Sequence, residues 1–289
     1  KKRENFMSEE RGKLYLCATP IGNLSDITLR CLEVLKSVDL IAAEDTRRTL
    51  TLLNHFEISK PLTSYYEHNR KEKGIFLAEE MENGKNIALV SDAGTPAISD
   101  PGEDLVAICI EKGIEVVPVP GPVAAINALI GSGMPTGRFT FEGFLSVNKQ
   151  SRREHLLSVA KEQRTMIFYE APHKLLSTLR DFKTYFGGER KISLCRELTK
   201  IHEEFVRLTI DGAIAKYEET PPKGEFVLVI EGAPEEIEDY SSVSVKDHVM
   251  RYIESGMSEK DAMRAAAKDR GVKKSDIYAE YKLGGKDNE

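Results

Sequence analysis

The chain has 289 residues, of which 40% are hydrophobic and 30% charged, with a formal net charge of −6. That length can bury the cores of two domains, and the acidic balance excludes a uniformly basic nucleic-acid binder. No apolar run approaches the roughly 18–20 residues that cross a bilayer, so no membrane association is expected. Cys17, Cys31, Cys109 and Cys195 lie far apart with no C-x-x-C pair, which argues against a zinc site or a disulfide framework and fits a reducing cytoplasm. No apolar export segment opens the chain; Met7 is a candidate native start, preceded by Lys1–Phe6.

From Leu14 to about Pro120 strand and helix signals alternate. Leu14–Cys17 reads as a strand and Thr19–Asn23 as a turn. A helix follows, with Ser25 or Asp26 as N-cap and Ile27, Cys31, Val34, Leu35 and Val38 on one face. Leu40–Ala43, Pro61–Tyr65, Ile87–Val90 and Glu115–Pro118 read as further strands. Strands alternating with helices predict crossover units and a mainly parallel sheet. Pro118, Pro120, Gly121 and Pro122 punctuate the chain before a small-residue helix at Val123–Ile130. Strand patterns at Phe139–Phe144, Thr165–Tyr169, Lys191–Arg196, Glu203–Ile210 and Phe226–Ile230 then include neighbours joined by short turns, which predicts a mixed sheet. The expected organisation is therefore α/β domains at 13–121 and 122–232, a polar linker at Ala233–Ser242, and a helical extension at 243–283. Within the extension Ala267, Gly271 and Ile277 have helix-turn-helix spacing. Residues 241–289 carry ten Lys/Arg and nine Asp/Glu, so the unit is about neutral, and a packing appendage competes with a nucleic-acid reader.

If the first sheet is parallel, its carboxyl ends carry four polar turns: Thr19–Asn23, Glu44–Arg48, Glu67–Asn69 and Ser91–Gly102. Such a rim is where open α/β sheets bind ligands. The Ser91–Gly102 turn is the most informative. It has neither the dinucleotide fingerprint nor the phosphate loop, so a ligand there is not gripped by its phosphates. Any one turn could equally be a helix cap, Asp45 or Thr46 for the next helix and Asp100 for Glu103–Glu111. His68 follows a strand and is placed for proton transfer. Ser91 lacks a G-x-S-x-G elbow, and no carboxylate or histidine cluster has metal-ligand spacing, so no metal is expected. Arg47-Arg48, Arg70-Lys71 with Lys73, and Lys149 with Arg152-Arg153 are the local basic clusters; each could be only a solvated face.

Taken in order, several motifs carry a resemblance: Ala18-Thr19-Pro20-Ile21-Gly22-Asn23-Leu24, Ala43-Glu44-Asp45-Thr46-Arg47, Glu67-His68-Asn69, Ser91-Asp92-Ala93-Gly94-Thr95-Pro96 and Pro118-Val119-Pro120-Gly121-Pro122. Glu142-Gly143-Phe144-Leu145, Phe168-Tyr169-Glu170-Ala171-Pro172-His173 and Arg196-Glu197-Leu198-Thr199-Lys200 complete it. From about Leu14 to Gly232 the sequence resembles the tetrapyrrole-methylase class of S-adenosylmethionine-dependent methyltransferases, and within it the branch that acts on ribosomal RNA. The resemblance implies two α/β domains with the methyl donor in the cleft between them, a homodimer, and transfer to the ribose 2′-oxygen of a cytidine in the decoding region of small-subunit ribosomal RNA, free or in the 30S subunit. By motif, Pro20, Gly94, Thr95, Pro96, Ile98, Asp100, Val123, Ala124, Tyr169 and Glu170 would bind the donor. Thr95 stands where porphyrin-acting relatives have aspartate, in agreement with the RNA-acting branch. The proton would be handled by Glu44, His68 or Lys200, with Asp45 and Glu203 as alternatives. Arg47, Lys149, Arg152, Arg153 and Arg196 would hold RNA. The helical extension resembles one found on some members only.

Two rivals share parts of this pattern. A methylase of a porphyrin or corrin precursor has the same fold, but Gly94-Thr95-Pro96, Ala43–Arg47 and the basic Lys149–Arg153 segment suit a charged polymer better. A transcriptional regulator would use the helix-turn-helix spacing to bind DNA; the neutral charge of that unit argues against it, and DNA is not an expected partner.

Overall fold

The computed structural model describes residues 11–234 and 240–283. The expectations for Lys1–Phe6, Met7 and residues 235–239 of the linker fall outside them. The chain divides into two compact units, Lys1–Ala233 and Pro234–Glu289. Among the described residues no helix is long and apolar enough to cross a membrane.

The first unit holds two five-stranded sheets. Sheet one is built from β1 (Leu14–Cys17), β2 (Leu40–Ala43), β3 (Leu62–Ser64), β4 (Ile87–Val90) and β5 (Val116–Val119), in the order β3-β2-β4-β1-β5. Every pairing in it is parallel. The crossover helices are α1 (Leu29–Ser37), α2 (Thr46–His55), α3 (Arg70–Glu82) and α4 (Gly102–Glu111). Strand alternation explains how both faces are covered. Leu14, Ala42, Ile87 and Leu89 pack with Leu77, Met81, Leu105 and Cys109 from α3 and α4. The intervening Cys17, Ile41, Ala43, Ala88 and Val90 pack with Cys31, Leu35 and Leu53 from α1 and α2.

The start of α1 corrects the sequence reading. Residues Leu24–Asp26 form a separate 3-10 turn capped by Asn23, and the N-cap of α1 is Thr28, whose hydroxyl accepts from the Cys31 amide at 3.1 Å. Asp100 is likewise not the cap of a helix at 103. Helix α4 begins at Gly102, and the Asp100 carboxylate closes the preceding loop by accepting from the Ala97 and Gly102 amides at 3.0 and 2.8 Å.

After α5 (Ala124–Ser132), sheet two takes the order β6-β7-β10-β8-β9, from β6 (Phe139–Phe144), β7 (Thr165–Glu170), β8 (Lys191–Arg196), β9 (Glu204–Thr209) and β10 (Phe226–Ile230). Only β6 and β7 run parallel; the other pairings are antiparallel, as a mixed sheet requires. One face packs on α6 (Lys149–Ser158), α7 (Pro172–Phe186) and α8 (Ile210–Glu219) through Phe168, Phe182, Leu194 and Leu228. The opposite face, Ile167, Cys195, Val227 and Val229, takes Ala125, Ala128 and Leu129 of α5, with Ile21 of the β1–α1 loop at its margin. That loop therefore reaches from the rim of sheet one to the α5 side of sheet two.

The second unit is a three-helix cluster of α9 (Val245–Glu254), α10 (Glu259–Asp269) and α11 (Lys274–Leu283). Ser244 and Ser258 cap α9 and α10. Ala267 and Ile277 are buried with Val249, Ala262 and Ala266, and Gly271 turns the chain between α10 and α11 at φ +63°. Of the three positions singled out by spacing, Ala267 and Ile277 pack in the buried cluster and Gly271 makes the turn.

Candidate active site

Gly94 is the keystone of the cavity between the sheets. It pairs with Thr19, each amide donating to the other's carbonyl at 2.9 and 3.0 Å, which fixes the β4–α4 loop against the β1–α1 loop. Its φ is +83°, a left-handed conformation that favours glycine. A Cβ there would meet Ile21 Cγ2 at 3.1 Å and the Pro122 carbonyl at 3.5 Å. Thr95 completes the clasp, its hydroxyl donating to the Pro122 carbonyl at 3.0 Å. Further along, Ala97 and Ser99 hold φ +66° and +61°. Two non-glycine residues in that region are strained, and such strain gathers where a loop must keep a functional shape.

The cavity has a volume of about 550 Å³, within the range of small-molecule sites. Its first wall is acidic. Asp92 accepts from the Asp45 amide at 3.1 Å with one oxygen and from Arg48 at 3.0 Å with the other. Glu44 lines the same wall; partial burial, with the charges of Asp92 and Asp100 behind it, raises its pKa above the ordinary carboxylate value. Burial raises Asp100 as well, against the lowering effect of the amides it accepts from.

The second wall comes from sheet two and α5. Tyr169 accepts at its hydroxyl from the Ala125 amide at 3.2 Å, at the start of α5, and burial raises its pKa. Val123 and Ala124 open that helix without a capping bond from the Val123 side chain, and both line the cavity. Leu198 and Val227 give the wall buried apolar surface, and Phe144 lines it as a half-exposed ring. Glu170 is buried and engaged, accepting from the Ala171 amide and from the Thr178 hydroxyl.

The predicted residues separate on this geometry. Gly94, Thr95, Ile98, Asp100, Val123, Ala124, Tyr169, Glu170 and Glu44 line the cavity together; Pro20 and Pro96 do not, although both sit in loops that form it. His68 is exposed in the β3–α3 turn, its ring edge-on to Tyr66, away from the lining. Lys200 also stands off the lining, bonded to Glu197 and Glu225 at 3.0 Å each. Partial burial works against its charge, but those two carboxylates outweigh it and raise the pKa. A lysine held charged in this way is no proton acceptor. Arg47 is turned onto Asp45 at the start of α2, while its neighbour Arg48 faces the cavity. Arg152 binds Asp181 and Thr178 between α6 and α7, and Arg196 binds the Lys223 carbonyl and Glu204; both guanidiniums are engaged within the fold. Lys149 and Arg153 are exposed on α6.

Residues 13–213 match the tetrapyrrole (corrin/porphyrin) methylases. A ribosomal RNA small subunit methyltransferase I from Synechocystis is 52% identical over 268 residues, 92% of this chain and 96% of that protein. The chain belongs to this family. A relative of the same name from Thermotoga maritima, 49% identical, aligns over 99% of its own length but only 76% of this chain, so about a quarter of the chain has no aligned counterpart in that relative. In fold, a uroporphyrin-III C-methyltransferase from Thermus thermophilus, solved with S-adenosylhomocysteine, superposes with a TM-score of 0.53 at 17% identity, covering 75% of this chain and 97% of that one. The chain is thus a methyltransferase, and S-adenosylmethionine is the cofactor its family uses. The residues present fit that group: a glycine turn allowing close main-chain approach, the small residues that open α5, an apolar wall, and carboxylates suited to a cationic sulfonium. Among the described residues no cluster of three or more His, Cys, Asp or Glu could hold a metal ion.

Proposed function

We propose that the chain uses S-adenosylmethionine to methylate the ribose 2′-hydroxyl of a cytidine in the decoding region of small-subunit (16S) ribosomal RNA, as a cytoplasmic homodimer. The observation that carries this reading is the joint lining of one cavity by the Gly94 turn, the start of α5, Tyr169 and the carboxylate of Glu44. Bound there, the donor supplies a methyl group already activated on a positive sulfur. The protein's part is to align the acceptor and take its proton; placement of this kind contributes about 7–11 kcal/mol. Gly94, Thr95, Val123 and Ala124 would hold the donor, and Tyr169 would fix the α5 end of its pocket.

Glu44 is the proton acceptor in this scheme. It lines the cavity, whereas His68 does not and Lys200 is kept charged. A carboxylate with a raised pKa is a better base near neutral pH. Arg47, Arg48, Lys149 and Arg153 are exposed cations that would meet RNA phosphates, the first two from their pairs with Asp45 and Asp92.

The test is direct. Protein, labelled methyl donor and unmethylated small subunits are incubated together, and the RNA is hydrolysed in alkali. Label in RNA with one linkage protected from cleavage supports ribose methylation; label released in ordinary mononucleotides, or confined to small-molecule acceptors, overturns it.

A further inference from the structure

The β6 strand carries an irregularity that donor binding does not explain. Its pairing with β7 runs in step from Phe139 opposite Thr165 to Phe141 opposite Ile167, then places Gly143 opposite Phe168 and Phe144 opposite Tyr169. Glu142 is therefore the extra residue of a β-bulge, followed by Gly143 at φ +64°. In a regular strand Phe141 and Phe144 would point to opposite faces. The bulge brings both rings onto Tyr169, with centroids 5.1 and 5.4 Å away and interplanar angles of 72° and 62°.

The bulge is anchored on one side and closely approached on the other. Glu142 pairs with His155 of α6 at 2.8 Å, and a Cβ at Gly143 would lie 3.4 Å from Ser99 Oγ in the strained β4–α4 loop. Bulges beside active sites re-aim side chains. A ring re-aimed for packing alone would be buried, yet Phe144 lines the cavity with 58% of its surface exposed. The apolar residues deeper in that wall, Leu198 and Val227, are only 7% and 6% exposed. The covered end suits a small donor, and the open ring faces whatever enters from solvent.

We propose that Phe144 is a substrate-positioning residue whose exposed ring stacks on the base of the target nucleotide while its ribose enters the cavity. The proposal rests on RNA being the substrate. Single-stranded RNA is recognised through splayed bases stacked on aromatic side chains, and enzymes that modify nucleotides take them out of the stack. Because every base has a π-face, the ring fixes position and not base identity.

The full-length Phe144→Ala, Phe144→Leu and Phe144→Tyr variants test this, with donor affinity measured by calorimetry and transfer to small subunits measured at saturating donor. Base stacking of ordinary strength predicts a rise in RNA KM of roughly 5- to 150-fold for Phe144→Ala, with donor affinity unchanged. Phe144→Tyr restores the KM and Phe144→Leu does not. A fluorescent cytidine analogue at the target position is quenched on binding wild type and Phe144→Tyr, but not Phe144→Ala. Lost donor affinity with an unchanged RNA KM, or Leu serving as well as Tyr, overturns the proposal. The wild-type arm separates the two readings: no label in RNA overturns the substrate assignment itself, whereas labelled RNA with an unaffected Phe144→Ala overturns only the role of Phe144.

Discussion

The two sheets of the first unit reach one cavity by different means. Sheet one is wholly parallel, so its strands end on the same side and drop their polar turns along one rim. Sheet two is mostly antiparallel, and a single parallel pair, β6 and β7, brings Phe144, Tyr169 and Glu170 to the cavity by its carboxyl ends. The first rim supplies carboxylates and a strained glycine turn; the second supplies aromatic and apolar surface. Chemistry and positioning are thereby divided between two halves of one compact unit.

The strongest challenge to that division is the loss of its acid. Glu44→Gln is expected to lower kcat by about 10²–10⁴-fold at saturating donor, the usual contribution of a positioned base. A kcat near wild type at saturating RNA excludes Glu44 as the base. The pH profile sharpens the point. A raised Glu44 pKa means that activity falls as pH drops through that raised value, so the acid limb lies above the ordinary carboxylate value of about 4.3. Asp92→Asn removes a neighbouring negative charge and should move the limb to lower pH; a limb that stays in place contradicts the coupling.

A smaller effect is expected at the clasp. Gly94→Val places a side chain in a left-handed turn beside Ile21, a strain of about 1–3 kcal/mol, and should weaken donor binding by roughly tenfold. Unchanged affinity would show that the donor does not rest on this turn. The smallest change is Tyr169→Phe, which leaves both aromatic contacts but removes the hydrogen bond from Ala125. Its expected cost is about 1 kcal/mol of stability, read in denaturant unfolding, with kcat nearly retained. A kcat loss as large as that of Glu44→Gln would mean that the second wall takes part in the chemistry.

Most strands were legible because short apolar runs end in Gly, Pro or charged residues, and the change from crossover spacing to short turns foretold the change from a parallel to a mixed sheet. The start of α1 was not, because Asn23, Ser25, Asp26 and Thr28 are all good caps, and only the 3-10 turn at Leu24–Asp26 reserves the last of them for the helix. In the site, the choice between Arg47 and Arg48 depends on helix phase: Asp45 holds the first, leaving the second toward Asp92. Asp92 was visible as a flanking carboxylate, but its double engagement needs the β2–β4 register. Phe144 could have been found. A glycine inside a strand pattern is a signal for a bulge, and here the bulge decides where the next ring points.

The central claim is that the Gly94 turn and the start of α5 form a donor site beside Glu44. The most direct measurement is a crystal structure of the protein with S-adenosylhomocysteine. The account predicts the ligand against the main chain of Gly94 and Thr95 and the small residues Val123 and Ala124, with its sulfur facing the Glu44 wall. A ligand bound elsewhere, or this cavity left empty at saturating concentration, contradicts it.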